Sequence, residues 1–203
     1  MISIINYGVG NIGSVVNMLR HIGVEPVVVS TPGEIRSAKK LLLPGVGAFD
    51  VAMRTLDAKG FINPLRDAAL KAEIPILGIC LGMQLLGNRS EEGGIEGLGL
   101  IDADFVKFSF DSRSAHKVPH MGWNTLKVVR ANPLLHQDQS EQRFYFVHSY
   151  YACCHNRGDI IATCDHGGEF VAVYGHGNVF GVQFHPEKSH KFGMQLLKNF
   201  AEL

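Results

Sequence analysis

A cysteine between two glycines is the residue of this sequence best placed for covalent chemistry. The segment Gly78-Ile79-Cys80-Leu81-Gly82 follows an apolar run and precedes a helical pattern over 81–86. A G-x-C-x-G turn between a strand and a helix exposes its central residue at a sharp bend, and the start of the helix favours a thiolate there. Composition alone gives about 0.05 accidental matches in a chain with four cysteines and 23 glycines. The pattern therefore predicts Cys80 as a nucleophile.

A histidine and a glutamate two residues apart could supply the proton chemistry that a thiol nucleophile needs. His185-Pro186-Glu187 comes directly after an apolar strand pattern over 179–184. The proline favours an extended backbone, in which residues i and i+2 face the same side, so that the carboxylate can orient the ring. Ligands in open α/β sheets bind at the carboxyl ends of strands. This position therefore distinguishes His185 from the other nine histidines.

A glycine-rich strand end could complete such a site. Leu43-Pro44-Gly45-Val46-Gly47 places two glycines around one valine, which leaves the backbone free to turn its N–H groups outward. Together with the N–H of Leu81, these groups would suit an oxyanion hole. The bland alternative is a turn that only ends the strand.

A second glycine pattern raises a different possibility. Residues 8–13 read G-x-G-x-x-G between the first strand and the first helix, the context of a dinucleotide-binding turn. That function requires a carboxylate at the end of the next strand, but Val27–Val29 is followed by Ser30-Thr31-Pro32, and Glu34 is expected in the next helix. A tight strand-to-helix turn explains the glycines, and a non-catalytic nucleotide-binding module stays open as an alternative.

The elements that position these residues alternate between strands and helices through the first half of the chain. Continuous apolar strands separated by helices indicate a largely parallel sheet covered on both faces. The second half is richer in strands, so we predict an α/β fold with three α/β/α layers and a mostly parallel, partly mixed central sheet. The predicted strands are 2–5, 27–29, 40–43, 76–79, 125–129, 144–147, 160–163, 171–174 and 179–184, and the predicted helices include 11–22, 81–86 and 190–203.

The composition favours a globular protein without affinity for polyanions. Lysine plus arginine equals aspartate plus glutamate at 19 each, and 46% of residues are hydrophobic, so nothing indicates nucleic-acid binding. The apolar runs are short, and no charged leader precedes the first strand, so we expect neither a membrane span nor a signal peptide. The cysteines at 80, 153, 154 and 164 match neither a disulfide framework nor a metal site. We expect a soluble, cytoplasmic single domain over residues 1–203.

Taken together, the motifs resemble those of class I (triad-type) glutamine amidotransferases, which carry the G-x-C-x-G turn and the H-P-E sequence. More narrowly, the chain is similar to the glutaminase subunits that serve imidazole glycerol phosphate synthesis in histidine biosynthesis. The resemblance extends along the whole chain in the family's order. The segments that carry the narrower match are 7–11 (YGVGN), 44–49 (PGVGAF), 80–86 (CLGMQLL), 119–124 (PHMGWN), 146–150 (FVHSY) and 183–189 (QFHPEKS).

The resemblance implies a role for each matching position. It makes Cys80 the nucleophile, His185 the acid/base and Glu187 the residue that orients His185. The oxyanion hole takes in Gly45, Val46 and Leu81. The positions expected to hold the glutamine head group are Gln84, Glu92, Ser149 and Tyr150. The positions expected to face a partner subunit are Asn11, Met121, Trp123, Tyr145, His148 and Lys188. The turn over 8–13 then contacts the partner and binds no nucleotide.

The implied reaction converts L-glutamine and water to L-glutamate and ammonia through a glutamyl thioester, with no metal or organic cofactor. The 203 residues leave no room for a synthase that uses the ammonia. The resemblance implies a heterodimer with a (β/α)8-barrel cyclase subunit, which receives the ammonia and switches the glutaminase on. Two further alternatives stay open: the glutaminase component of another amidotransferase, and a different thiol hydrolase on the same fold.

Overall fold

Apolar strands and amphipathic helices alternate through the first half of the computed structural model, which describes residues 1–135 and 141–203. Each strand is short and buried, and each helix buries one face against the sheet. The elements are β1 (Ile2–Ile5), α1 (Ile12–His21), β2 (Pro26–Val29), α2 (Pro32–Arg36), β3 (Leu41–Gly45), α3 (Phe49–Ala58), α4 (Ile62–Leu70), β4 (Ile76–Cys80) and α5 (Leu81–Leu86).

The second half consists mostly of strands joined by short turns. Gly167, Gly168 and Gly177 adopt positive φ angles between consecutive strands, as tight reversals of the chain require. The elements are β5 (Arg89–Ser90), β6 (Ala103–Lys107), β7 (His120–Thr125), β8 (Lys127–Val128), β9 (Arg143–His148), β10 (Tyr150–Cys154), β11 (Ile160–Asp165), β12 (Glu169–His176), β13 (Val179–Val182) and α6 (His190–Glu202), with single 3-10 turns at Arg157–Asp159 and Pro186–Lys188.

The central sheet has the order β2-β1-β3-β4-β13-β12-β10-β6-β5, with β11 and β8 branching beside β12. The strands from β2 to β13 run parallel because helices connect β1 to β4, and the pairs β13–β12, β12–β10 and β10–β6 are antiparallel. Strands β7 and β9 form a separate antiparallel pair. The predicted mostly parallel, partly mixed sheet is confirmed.

Both faces of the sheet are covered, which produces three layers. Successive residues of a strand point to opposite faces, so Leu41 and Leu43 join one apolar cluster while Leu42 joins the other. Helices α3 and α4 contribute to the first cluster, and α1 and α6 contribute to the second. The carboxyl ends of β3, β4 and β13 lie side by side in this arrangement.

One predicted strand was wrong in its extent. Residues 125–129 were expected to form a single strand, but the chain changes partner at Leu126: β7 pairs with β9, whereas β8 pairs with β11. The alternating pattern of the sequence predicts a strand but does not say which neighbour it pairs with. Within residues 1–135 and 141–203, no helix has the length and apolar character needed to cross a bilayer.

Candidate active site

The turn between β4 and α5 admits only glycine two positions before and two positions after Cys80. Cys80 itself adopts φ 54° and ψ −110°, a strained conformation that side-chain-bearing residues rarely occupy. A Cβ added to Gly78 would lie 2.6 Å from the Gly82 carbonyl oxygen, and one added to Gly82 would lie 1.8 Å from the Leu43 carbonyl oxygen. The two glycines therefore let the chain reverse sharply and leave Cys80 at the tip of the bend.

His185 and Glu187 form a buried hydrogen-bonded pair after β13. His185 Nδ1 lies 2.8 Å from Glu187 Oε1, and the two side chains are 4% and 3% exposed. The His185 N–H donates to the Tyr145 carbonyl at 2.9 Å. Ser189 Oγ donates to the His185 carbonyl at 2.6 Å and accepts from the Tyr145 N–H at 3.0 Å. Strand β9 thus fixes the backbone that carries the pair.

Two opposing effects set the protonation of the His185 ring. Burial, the larger single effect, disfavours the charged ring and by itself lowers its pKa. Hydrogen bonds and charge interactions with Cys80 and Glu187 together outweigh burial and raise the pKa of His185 to about 10. Since Nδ1 is bonded to Glu187, Nε2 is the ring nitrogen that remains for Cys80. The ring is therefore positively charged at neutral pH.

A cavity of about 340 Å³ opens over Cys80 and His185. Its walls include Val46 and Leu81 of the predicted oxyanion hole. They also include all four positions predicted to hold the glutamine head group, namely Gln84, Glu92, Ser149 and Tyr150. Two predicted residues do not line the cavity: Gly45 is buried at the end of β3, and Glu187 is buried beyond the His185 ring.

Several polar groups of the cavity wall are held in place. The Glu92 carboxylate accepts a hydrogen bond from the Phe49 N–H, the first of α3, at 2.9 Å. Gln84 donates through Nε2 to Gln183 Oε1 at 3.3 Å, while Gln84 Oε1 is buried with no partner within the part of the chain that the structure describes. Burial, helped by the nearby Glu92 charge, raises the pKa of Tyr150. The wall thus offers a fixed carboxylate, an unused amide oxygen and a neutral phenol.

The end of β3 and the start of α5 meet at Cys80. Gly45 pairs with Cys80 in the parallel register of β3 and β4. Beyond it, Val46 is 42% exposed and Gly47 adopts φ +91°, so the loop over 44–47 turns at the mouth of the cavity. Leu81 is the first residue of α5, where helical N–H groups have no carbonyl partner within the helix. Backbone amides from both elements therefore border the nucleophile.

Five of the six positions assigned to a partner surface are accessible. Met121 is 62% and Trp123 is 41% exposed, on the solvent side of β7. Trp123 stacks on the His190 ring with centroids 5.4 Å apart. The remaining accessible positions are Asn11, the half-buried Tyr145 and Lys188, whose Nζ lies 5.7 Å above the Tyr145 ring. Pro119, two residues before Met121 in the sequence, lines the cavity.

The sixth position, His148, does not agree with a place at the partner surface. Its residue is only 6% exposed, and the rings of Phe108 and Phe146 pack against it with centroids 5.4 Å and 5.7 Å away. The alternation of β9 explains this, because Tyr145 and His148 lie on opposite faces of that strand. The side chain contributes instead to the wall of the cavity.

His148 belongs to a directional chain of hydrogen bonds. His148 Nδ1 donates to the Tyr150 carbonyl at 2.7 Å, so its Nε2 is free to accept from His120 Nδ1 at 3.0 Å. His120 Nε2 in turn accepts from Asn124 Nδ2 at 3.2 Å. Burial lowers the pKa of His148 to about 3 and that of His120 to about 4. Both rings are therefore neutral, and the chain runs from β7 to the wall of the cavity.

Reasoning from the sequence missed two buried residues, one that contacts Cys80 and one that contacts the backbone of His185. Gln183 is 0% exposed; its Nε2 lies 3.9 Å from Cys80 Sγ, and its Oε1 accepts from Gln84. Ser189 joins the backbone of His185 to β9. A polar residue one position before the end of an apolar run was the available signal for Gln183. For Ser189 the only signal was its closeness to the H-P-E sequence.

The glycine-rich turn over 8–13 connects β1 to α1. Asn11 caps α1 by accepting from the Ser14 N–H at 3.4 Å. Glu34, the nearest candidate for a ribose-binding acid, lies in α2 and accepts hydrogen bonds from the Ser30 and Thr31 N–H groups at 2.8 Å each. Its carboxylate is therefore already used in capping α2, and the turn lacks the acid that a dinucleotide site requires.

The other three cysteines do not line the cavity. All four cysteines are free thiols, and burial raises the pKa of Cys154 and of Cys164 to about 12 each. In the described ranges 1–135 and 141–203, no three His, Cys, Asp or Glu side chains are grouped in a way that could bind a metal ion. Cys80 is thus the cysteine whose position suits nucleophilic chemistry.

Comparison with known proteins identifies the class. The model of the glutamine amidotransferase class-I family matches residues 3–203, and the chain belongs to this family. Among solved structures, PurLQS from Thermotoga maritima has a TM-score of 0.76 at 19% identity, covering 99% of this chain and 97% of that one. Another, a glutamine amidotransferase, has a TM-score of 0.76 at 16% identity with the same coverage. These two likenesses establish the fold alone.

Curated relatives narrow the comparison. The chain is 50% identical over 203 residues to imidazole glycerol phosphate synthase subunit HisH 2 of Pseudomonas aeruginosa, covering 100% of both chains. It is 48% identical over 202 residues to HisH 2 of Methanococcus maripaludis, covering 100% of this chain and 99% of that one. It is 45% identical over 204 residues to subunit HisH of Leptospira interrogans, again covering 100% of both. The resemblance identified from the motifs is confirmed.

Proposed function

We propose that this chain is the glutaminase subunit of an imidazole glycerol phosphate synthase. It hydrolyses L-glutamine to L-glutamate and ammonia, and residues 1–203 act as one catalytic domain. Full-length relatives at 45–50% identity that carry the name of this subunit support the proposal. The observation that carries it is the buried His185–Glu187 pair, at 2.8 Å, beside a cysteine on a strained turn at the cavity.

The chemistry follows from the order of these groups. Because the charged His185 ring already carries the proton on Nε2, Cys80 Sγ attacks the side-chain amide carbon of glutamine as a thiolate. Glu187 holds Nδ1 and stabilises the charged ring, as the raised pKa of His185 indicates. The imidazolium then protonates the departing ammonia, which leaves a glutamyl thioester. The neutral His185 next accepts a proton from the water that hydrolyses the thioester, and Cys80 leaves as the thiolate beside the charged ring. The carboxylic acid formed loses its proton to solvent and is released as glutamate.

Backbone amides stabilise the tetrahedral intermediate. The N–H of Leu81 comes from the first turn of α5, and the N–H of Val46 comes from the loop over 44–47. Both residues line the cavity beside Cys80, and the buried Gly45 supports the loop from below. An oxyanion that is met by preorganised N–H groups is stabilised more strongly in a desolvated site than in water.

The rest of the cavity suits an amino acid. The Glu92 carboxylate, fixed by the Phe49 N–H, pairs with the α-ammonium of glutamine, and the free Gln84 Oε1 accepts one of its N–H groups. Ser149 and Tyr150 also line the cavity. A cavity of about 340 Å³ accommodates a ligand of this size and leaves little room for a peptide.

The ammonia is delivered to a partner subunit. Free ammonia is protonated in water and loses its nucleophilicity, so a synthase must receive it directly. We assign the partner as a (β/α)8-barrel cyclase, which docks on the surface formed by Met121, Trp123, Tyr145 and Lys188. Met and aromatic side chains are enriched at interface centres, and Met121 and Trp123 are both exposed here. Lys188, beside the Tyr145 ring, suits the polar rim.

We assign the reaction to the cytoplasm. Cys80 works only as a free thiol, and all four cysteines are free. Reducing compartments keep thiols in this state. The mechanism assigns every step to side chains and backbone groups of this chain.

The test is glutamine turnover by the purified chain, alone and with the cyclase subunit and its nucleotide ligand. We expect strong stimulation by the partner and a loss of roughly 10⁴-fold or more in Cys80→Ala. Cys153→Ala, which removes a thiol away from the cavity, serves as the matched control and retains the activity. High activity without a partner would reject the synthase assignment. Activity that persists in Cys80→Ala would reject the mechanism.

A further inference from the structure

A tyrosine hydroxyl without a hydrogen-bond partner lies beneath the loop over 44–47. Tyr7 follows β1 and is 0% exposed, and its Oη has no partner within the described ranges 1–135 and 141–203. Buried hydroxyl groups are nearly always hydrogen-bonded, because an unsatisfied one loses its interactions with water for nothing in return. We therefore expect another conformation of the site to supply a hydrogen-bond acceptor for Tyr7 Oη.

The hydroxyl faces the backbone of Gly45. A Cβ added to Gly45 would lie 2.8 Å from Tyr7 Oη and 2.7 Å from the Gly82 nitrogen. The glycine therefore leaves the phenol in direct contact with the main chain of β3. Burial, with the Cys80 charge as a second cause, raises the pKa of Tyr7. The group stays protonated at neutral pH and acts as a hydrogen-bond donor.

The segment around Tyr7 packs along the same loop. A Cβ added to Gly10 would lie 3.4 Å from the Pro44 carbonyl oxygen, so the turn over 8–13 rests on the residue that precedes Gly45. The phenol does not line the cavity. Tyr7 therefore approaches Gly45 from the protein interior, on the side away from the substrate.

The geometry of one peptide bond connects this side to the reaction. In a trans peptide the carbonyl and the N–H point in opposite directions. When the Val46 N–H points into the cavity to meet the oxyanion, the Gly45 carbonyl of the same peptide points into the interior. A carbonyl buried there needs a donor, and Tyr7 Oη is an unused donor in contact with Gly45. In the structure Oη is free, so the bond forms only when this peptide is turned.

We propose that Tyr7 is a positioning residue, whose hydroxyl donates a hydrogen bond to the Gly45 carbonyl when the Val46 N–H faces the cavity. The inference rests on the proposed glutaminase function. It gives the Y-G-V-G-N segment a role that needs no nucleotide: the β1–α1 turn supports the oxyanion hole from behind. Tyr7 touches neither the substrate nor the reacting atoms.

The test is Tyr7→Phe, which removes the oxygen and keeps the buried ring. In the complex with the partner subunit and its ligand, we expect kcat for glutamine hydrolysis to fall by roughly 10–100-fold. We expect KM for glutamine to change by less than about threefold, because the groups that bind the head group are untouched. The rate at which iodoacetamide alkylates Cys80 is expected to stay within about twofold of wild type.

Stability separates this role from a purely structural one. Tyr7→Phe removes an unpaired hydroxyl and is expected not to lower Tm. Tyr174→Phe is the matched control, because the Tyr174 hydroxyl donates to the Met83 carbonyl and its loss is expected to lower Tm. An unchanged kcat, or a kcat that falls only together with Tm, would overturn the proposal. An equal fall in the alkylation rate would also overturn it, since the hydroxyl would then act on Cys80.

The outcome is distinct from failure of the proposed function. If wild type turns glutamine over and Cys80→Ala does not, the glutaminase assignment stands whatever Tyr7→Phe does. If wild type is inactive with its partner, the proposed function fails and the Tyr7 inference fails with it.

Discussion

Two buried histidines line the same cavity, but one is positively charged and the other is neutral at neutral pH. His185 is 3% and His148 is 6% exposed, and both line the cavity. The pKa of His185 is raised to about 10, whereas that of His148 is lowered to about 3. His185 has a carboxylate at 2.8 Å, while His148 has a carbonyl at 2.7 Å and a second imidazole at 3.0 Å. Burial disfavours the charged form of both rings, and only His185 has partners that outweigh it.

This difference explains how one cavity can contain two imidazoles and a single acid. Burial disfavours the charged form of both rings. Cys80 and Glu187 together reverse that effect for His185, which can therefore protonate a leaving group. Within residues 1–135 and 141–203, the hydrogen-bond partners of His148 are the Tyr150 carbonyl and His120 and include no carboxylate, so the ring stays neutral and connects these two groups as a structural support.

The two histidines also affect stability with opposite signs. His185 has a folded-state pKa above the unfolded value of about 6.5, so its contribution is complete below pH 6.5 and is lost as the pH rises towards 10. His148 and His120 have folded-state pKa values below 6.5. Their contribution is complete above pH 6.5 and is lost as the pH falls towards 4 and 3.

Removing the carboxylate is expected to have the largest effect. Glu187→Gln removes one of the two partners that raise the pKa of His185, so that pKa falls and the charged ring loses its orienting carboxylate. We expect kcat for glutamine hydrolysis to fall by roughly 10²–10⁴-fold, measured over a pH range in the complex with the partner. The control is Asp159→Asn, which alters another histidine–carboxylate pair, 2.9 Å from His176 and outside the cavity. A wild-type kcat in Glu187→Gln would show that His185 does not need this carboxylate for catalysis.

Acid unfolding tests whether His120 and His148 are neutral in the folded chain. Between pH 6.5 and about 4, the unfolded chain takes up protons on His120 and His148 that the folded chain does not. Each histidine then lowers the free energy of unfolding by about 1.4 kcal/mol per pH unit. We expect the double variant His120→Asn/His148→Asn to be less stable at pH 7.5 and to lose less stability than wild type on acidification. Thermal unfolding across this range measures both.

One outcome of the same titration would contradict this prediction. His116, His166 and His185 lie close enough to influence the pair electrostatically, and they remain in the double variant, so the difference between the two curves isolates His120 and His148. Parallel curves would mean that the two histidines are not held neutral.

An exposed histidine–carboxylate pair is expected to have the smallest effect. His155 Nδ1 lies 2.9 Å from Asp102 Oδ1, nearly the same distance as in the His185–Glu187 pair, but both side chains are exposed. Water screens such a pair, so its contribution is small. We expect His155→Ala to change the glutaminase rate by less than about twofold and to leave Tm almost unchanged. A large loss would show that distance alone, without burial, governs these pairs.

The Cys80 turn and the charged His185–Glu187 pair could be predicted from the sequence, because the residues that form each of them are close together in the chain. G-x-C-x-G prescribes a turn in which Gly78 and Gly82 have no room for a side chain, and His185 and Glu187 are two residues apart. The fold class followed from apolar strands alternating with helices. Only the convergence of these strand ends on one cavity required the structure.

The hydrogen-bonded pair of neutral histidines, His120 and His148, could not be predicted in the same way. His120 and His148 are 28 residues apart, and they meet because β7 pairs with β9 outside the central sheet. Alternation marks both segments as strands without assigning them to each other. This pairing buries His148, which the resemblance places at the partner surface. Tyr7 gave no signal either, because an aromatic residue after an apolar strand reads as core.

The most direct way to test whether Cys80 is the nucleophile that attacks glutamine is to label the protein with a reactive glutamine analogue. The complex would be treated with a diazoketone analogue of L-glutamine, and peptide mass spectrometry would then locate the adduct among Cys80, Cys153, Cys154 and Cys164. We predict modification at Cys80, suppressed by excess glutamine and slowed in Glu187→Gln. Modification at another cysteine, or labelling of Cys80 that glutamine does not suppress, would contradict the account.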